Sequence, residues 1–268
     1  MAAVVISVLG GCFTYTQNDS RIKALARLSY PVDVFDEDEP ISAIIVGDPT
    51  GQRVIYIHGA PGSADNWGSF LTEPMEDLEH VAIDRPGFGE SSHTGAVPSL
   101  AEQAAAIKPL LVERNGRWPI LVGHSLGGPI AAQAAAEYPD RVGGIIIIAG
   151  ALDPDLEKVL FIQRIGDIPL LDLLVPQPLR YANRELIPLE GELRKLGKRL
   201  DEITCPIVII HGTMDSLVPY KNVAYMQEAF AGNDHVEVIT LDGEDHFTIW
   251  TSPEQVREAI ENLTTLRR

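Results

Sequence analysis

The sequence predicts an α/β protein, a mostly parallel eight-stranded sheet with helices on both faces and a short helical insertion. Three observations carry that prediction. From Val54 onward, short apolar runs alternate with helix-forming stretches, the order that arises when parallel strands are joined by crossover helices. Runs such as Ile145 to Ala149 and Ile207 to Ile210 are continuously apolar rather than alternating, as strands covered on both faces must be. Between Ala151 and Leu200 the alternation stops, with prolines at 154, 169, 176, 178 and 188 and no legible strand.

Taken in order, Asn18 to Leu28 reads as a capped short helix or a polar lead-in. Tyr30 to Phe35, Ile41 to Val46 and Arg53 to Ile57 are predicted strands, and the turn Gly47-Asp48-Pro49-Thr50-Gly51 between the last two suggests an antiparallel start to the sheet. His80 to Ile83, Ile120 to Val122, Ile145 to Ala149, Ile207 to Ile210 and Val236 to Leu241 continue it. Helices are expected around Trp67 and Phe70, from Leu100 to Val112 with Pro109 kinking or shortening the end, and over Ile130 to Glu137, Val223 to Phe230 and Pro253 to Leu266. On this reading a core made of residues 13–151 and 201–268 is interrupted by an insertion at 152–200. Ligands bind at the carboxyl edge of open α/β sheets, so an apolar helical insertion there is a lid candidate.

Composition narrows the function classes. The chain has 268 residues, with 21 Lys and Arg against 38 Asp and Glu, and a formal charge of −17 repels phosphate backbones. Nucleic acid is therefore not an expected partner; a small molecule is. No His-x-x-x-His or Cys-x-x-Cys spacing points to a metal, and neither a metal nor an organic cofactor is expected. Of the two cysteines, Cys205 precedes Pro206 at the head of an apolar run and reads as a buried thiol. Cys12 closes Leu9-Gly10-Gly11-Cys12, which resembles a bacterial lipoprotein processing box, although no Lys or Arg precedes the apolar run. That resemblance implies a signal segment at 1–12, a lipid on Cys12 and attachment to a bacterial membrane. The rival reading is a first core strand or a misplaced start codon, in a cytoplasmic protein.

The chemistry centres on Pro119 to Ala136. There an apolar strand, Ile120 to Val122, meets a glycine-rich break, Gly123-His124-Ser125-Leu126-Gly127-Gly128, and then an alanine-rich helix former. Ser125 stands at the vertex, flanked by Gly123 and Gly127 in the G-x-S-x-G pattern of a nucleophile elbow. So sharp a turn strains the backbone of the vertex residue, and side chains two positions either side would collide with the neighbouring strand and helix. The helix start aims backbone N–H groups at the same space.

Together with His58-Gly59 after the third strand and Asp84-Arg85-Pro86-Gly87-Phe88-Gly89-Glu90-Ser91 after the fourth, the elbow makes the chain resemble the α/β-hydrolase family from about Tyr30 to the C-terminus. The resemblance implies Ser125 as nucleophile. Its base would be His246, in Gly243-Glu244-Asp245-His246 after the last strand, and its acid Asp215, after the strand Ile207 to Ile210, with Asp153 as the rival. The oxyanion donors would be the backbone N–H groups of Ala60 and Leu126. His58, Gly59, Trp67 and Phe161 are candidate substrate contacts, Trp67 being either pocket wall or core. Of the other histidines, His58, His124 and His211 are expected to brace loops, and His80, His93 and His235 to be exposed. Gly62, Gly87 and Gly89 are expected to supply positive φ. The chemistry implied is acyl transfer without a cofactor, on a carboxylic ester with a small to medium apolar group. Carbon–carbon hydrolysis, lactone opening and cofactor-free peroxidase chemistry use the same three residues, and a non-catalytic binding protein on this scaffold is the alternative of another class.

Overall fold

Each central strand sends its side chains to two separate cores. A computed structural model describes residues 20–33, 40–157 and 175–266. In β3 (Gln52–Ile57), Val54 and Tyr56 face one layer with Trp67, Phe70 and Ile260, whereas Ile55 and Ile57 face the other with Ile107, Ile130 and Ala134. The same division recurs in β6 (Gly144–Ile148), where Ile145 and Ile147 oppose Ile146 and Ile148. This two-sided burial is why the strands lack polar alternation: each residue loses its contact with water whichever way it points.

Eight strands form one sheet, in the order β1-β2-β4-β3-β5-β6-β7-β8. β1 (Arg27–Tyr30) pairs antiparallel with β2 (Ile41–Gly47), and β2 antiparallel with β4 (Leu78–Ile83). All other pairings, through β5 (Ile120–His124), β6, β7 (Ile207–Gly212) and β8 (Val236–Leu241), are parallel. The chain leaves β3 toward β4, then crosses back over β3 to form β5. Strand order thus reverses between β3 and β5, and the loops leaving these two strands flank the crevice where open α/β sheets bind ligands.

Several boundaries differ from the sequence reading. The first helix among the described residues, α1 (Ser20–Lys23), is a single turn, and β1 begins at Arg27 rather than Tyr30. The register Arg27 to Ile44 and Tyr30 to Ile41 explains the shift, because pairing with β2 recruits polar residues that periodicity alone leaves out. Helix α2 (Gly68–Thr72) carries Phe70, and Trp67 ends the 3₁₀ turn before it. Helix α3 (Leu100–Ile107) stops where Pro109 forces a 3₁₀ turn at Lys108–Leu110. Helix α4 (Gly127–Glu137) starts three residues earlier than the alanine run suggests.

Within the insertion, α5 (Gln177–Leu186) is followed by α6 (Leu189–Leu196). Leu189, Leu193 and Leu196 are spaced to share one helix face, and they are buried in the same layer as α4. Residues 158–174, with Phe161, lie outside the described residues, as do residues 1–19 with Cys12. Helices α7 (Lys221–Ala229), α8 (Thr248–Thr251) and α9 (Pro253–Thr265) complete the cover of the sheet. Among the described residues no helix is long and apolar enough to cross a membrane.

Candidate active site

At the end of β5 the chain turns through Ser125, whose φ of 55° is the left-handed conformation that L-residues avoid. Two glycines make the turn sterically feasible. A Cβ on Gly123 would come within 2.1 Å of the Gly127 carbonyl oxygen, and one on Gly127 within 2.2 Å of the Ile57 carbonyl oxygen. The strain is held by hydrogen bonds on both sides of the vertex: the Ser125 N–H donates to the Ile148 carbonyl and the Gly128 N–H to the Ser125 carbonyl, each at 2.9 Å. Helix α4 then starts at Gly127, directing its positive end toward the serine.

The loops after β7 and β8 bring a carboxylate and an imidazole together. His246 Nδ1 donates to Asp215 Oδ2 at 2.7 Å, although 31 residues separate the two. Asp215 Oδ1 accepts from the backbone N–H groups of Leu217 and Val218 at 2.9 and 2.8 Å, so the carboxylate is fully engaged. Burial pushes the Asp215 carboxyl up. Hydrogen bonds from His211 and His246, the His246 charge and the Val218 N–H together outweigh burial and hold it well below the usual carboxylate range. The rival acid, Asp153, accepts from the Asp155 N–H, and its own N–H donates to Asn222 Oδ1; it does not pair with His246. His124 joins this pair to the elbow. Its Nε2 donates to the His246 carbonyl at 2.9 Å, and burial, reinforced by the nearby His246, lowers its pKa to about 3, so it remains a neutral donor.

On the other side of Ser125 runs the loop after β3. A Cβ on Gly59 would sit 2.9 Å from the Ser125 Cβ and 3.3 Å from its Oγ, so only glycine lets this backbone lie against the hydroxyl. The N–H groups of Ala60 and Leu126 have no acceptor among the described residues. His58 is fully buried. Its Nε2 accepts the Arg85 N–H at 3.0 Å, which requires the proton on Nδ1, and Nδ1 donates to the Gly59 carbonyl at 2.7 Å. Burial and the Arg85 charge keep its pKa well below the ordinary imidazole value. Arg85 lies under this loop, wholly buried, and forms a bidentate pair with Glu185 of α5 at 3.2 and 3.1 Å. Burial raises the Glu185 pKa, and the bonds from Arg85 and Gln103 offset part of that. Removing one member of such a buried pair costs about 3–5 kcal/mol, because the other charge is stranded.

Other sequence expectations change in three dimensions. Trp67 is core rather than pocket wall: it is fully buried against Tyr56 and Phe70. His58, expected both to brace its loop and to touch substrate, has both ring nitrogens committed to the loop. His80 is buried, not exposed, with Nδ1 on the Tyr56 hydroxyl at 2.7 Å and Nε2 on the Met75 N–H at 3.0 Å; His235 is exposed. Gly87 and Gly89 have the expected positive φ, but Gly62 does not. Gly62 is needed for space, since a Cβ there would meet Asn66 Oδ1 at 2.6 Å and His58 Nδ1 at 2.7 Å. His211 braces the Asp215 loop by donating from Nε2 to the Val218 carbonyl at 2.9 Å. Cys205 is buried. Among the described residues no group of three or more metal-type side chains converges. Neither Arg85 nor Glu185 stands out in the sequence as a site residue; the only sign is that Arg85 lies within the Asp84 to Ser91 motif.

Known proteins are similar to this chain in sequence and fold. A family model described as the alpha/beta hydrolase fold matches residues 52–166. The chain is 33% identical, over 47% of its length, to the dihydrolipoyllysine-residue acetyltransferase component of an acetoin cleaving system from Cupriavidus necator, and covers 37% of that protein. It is 26% identical to a pimeloyl-(acyl-carrier protein) methyl ester esterase from Aeromonas hydrophila, over 80% of this chain and 95% of the esterase. The crystal structure of a bacterial membrane phospholipase A matches with a TM-score of 0.70 at 22% identity, covering 99% of this chain and 98% of the other. With sheet order, elbow and matched residues all in agreement, the chain has the α/β-hydrolase fold.

Proposed function

We propose that the protein is a cofactor-independent serine hydrolase that cleaves carboxylic esters through an acyl-enzyme on Ser125. The observation that carries this reading is the 2.7 Å bond from His246 Nδ1 to Asp215, with the His246 carbonyl tethered to His124, the residue beside Ser125. A carboxylate on Nδ1 fixes the proton there and leaves Nε2 with its lone pair, the form that takes a proton from a hydroxyl. In acylation, Ser125 Oγ attacks the ester carbonyl while His246 accepts its proton, then passes it to the departing alcohol. In deacylation, water attacks the acyl group, His246 takes the water proton, and that proton returns to Ser125 as the acid leaves. Asp215 stays ionised and offsets the imidazolium. Negative charge on the carbonyl oxygen is met by the N–H groups of Ala60 and Leu126 and by the start of α4.

Ester cleavage is favoured by the similarity to the pimeloyl methyl ester esterase across most of both chains. The leucine-rich insertion suits a small to medium apolar acyl or alkyl group as a lid. A fluorophosphonate probe tests the reading: the protein should be labelled at Ser125 and hydrolyse p-nitrophenyl esters, with chain-length preference reporting the acyl pocket. Full labelling in Ser125→Ala, or no hydrolysis of any ester in the series, would overturn it.

A further inference from the structure

We infer that Arg85 is a positioning residue for the oxyanion hole, locking the Gly59–Ala60 peptide so that its N–H faces Ser125, and that Glu185 ties this lock to the helical insertion. The inference rests on the function proposed above and adds residues that the acyl-transfer chemistry itself does not require. Its basis is where the donors go. Arg85 Nε donates to the His58 carbonyl at 2.9 Å and Nη2 to the Gly59 carbonyl at 3.0 Å. His58 Nδ1 donates to the same Gly59 oxygen at 2.7 Å. In a trans peptide the C=O and the following N–H point in opposite directions. Holding the Gly59 oxygen on the buried arginine therefore turns the Ala60 N–H away from it, and Gly59 lies close to Ser125, where a Cβ on Gly59 would sit 3.3 Å from the serine Oγ. Without those donors the peptide could rotate, and a rotated peptide would present a carbonyl, not an N–H, to the developing oxyanion.

The arginine is aimed in turn by the insertion. Nη1 and Nη2 form a fork on Glu185, 100 residues away in the chain, and Gln103 of α3 donates to the same carboxylate at 2.7 Å. Phe88 stacks beneath the guanidinium, 4.7 Å from its ring centroid. A planar fork can bridge two carbonyls and a carboxylate at once; an ammonium cannot. The insertion thus contributes a strut to the catalytic loop, a role separate from covering the substrate.

The test uses the charge-neutral double variant Arg85→Gln/Glu185→Gln, which strands no buried charge, and the near-isosteric single variant Glu185→Gln. In the double variant kcat for a p-nitrophenyl ester should fall by about 10²–10³, the usual cost of one oxyanion donor, with KM nearly unchanged and the melting temperature retained. Glu185→Gln should lower kcat by about tenfold, the scale of one charged hydrogen bond, and Arg85→Lys should fail to restore activity. Fluorophosphonate labelling of Ser125 should slow in parallel. If the wild type labels at Ser125 and the folded double variant keeps its kcat, or loses only KM, the positioning role is wrong while the serine mechanism stands. Should the double variant not fold, an unchanged kcat in Glu185→Gln overturns the inference. No labelling of the wild type at Ser125 would remove the mechanism and the inference together.

Discussion

Two buried polar clusters flank Ser125, and they are built on different principles. On the β7–β8 side, Asp215 and His246 sit on the loops after two consecutive strands, His211 lies within β7 itself, and one hydrogen bond joins the carboxylate to an imidazole nitrogen. On the β3–β4 side, Arg85, His58 and Glu185 join three distant segments, and every ring nitrogen and most guanidinium donors are already committed. The first cluster leaves His246 Nε2 without a hydrogen-bond partner among the described residues, whereas the second has most of its donors engaged. Chemistry needs the former, because proton transfer requires an unsatisfied site poised for it, and pre-organisation needs the latter, because a donor that can rotate must be re-oriented during the reaction. On the proposed mechanism, the buried polar groups on either side of one serine do separate work, one moving a proton and the other keeping a peptide still.

The comparison can be broken most severely at the serine and the imidazole. Ser125→Ala and His246→Ala should each lower kcat by about 10⁶, and the double variant should be no worse than either, since the groups act as a unit. Additive losses in a steady-state ester assay would separate them. Asp215→Asn should cost about 10⁴ in kcat with the fold retained, because an amide on Nδ1 can stabilise the wrong tautomer and cannot offset the imidazolium. Below these comes the 10²–10³ expected for the Arg85 and Glu185 pair, which sharpens the contrast, since orientation should be worth less than proton transfer.

The smallest effect on turnover is expected at His80, buried away from Ser125 between Tyr56 and Met75. Burial lowers its pKa to about 4 from an ordinary 6.5, so it is neutral in the folded protein. As the pH falls below 6.5 the unfolded chain takes up this proton first. The stabilisation from keeping it neutral is complete above pH 6.5 and is lost on acidification toward pH 4, about 3 kcal/mol in all. His80→Gln should leave kcat at pH 7 unchanged and flatten the fall in melting temperature between pH 6.5 and 4. An unaltered slope would show that other groups govern acid stability.

Much of the candidate site is legible from local residues. Gly123 and Gly127 mark the elbow because the clash they avoid lies within a few residues of the serine or on an adjoining strand. Asp215 and His246 each follow an apolar strand by a short loop, and such loops return to one edge of a parallel sheet. What resisted reading was partnership across the fold. Trp67 and His80 look alike in a sequence whether they face a pocket, solvent or core, and only packing against Tyr56 and Phe70 decides. β1 escapes periodicity because it carries Arg27 and Ser29 and leaves Leu28 exposed, so it is held by pairing with β2 rather than by its own burial.

The sequence by itself determined the alternation of strands and helices and the strained serine, because these depend on sterics and periodicity over a few residues; the candidate acid and base followed from the resemblance to the α/β-hydrolase family. Tertiary structure alone decided that Asp215 rather than Asp153 meets His246, and that Arg85 finds Glu185 beneath the loop beside Ser125. Those outcomes depend on which distant segments share a buried, low-dielectric space, where an unpaired charge is too costly to leave alone and its partner can come from anywhere in the chain.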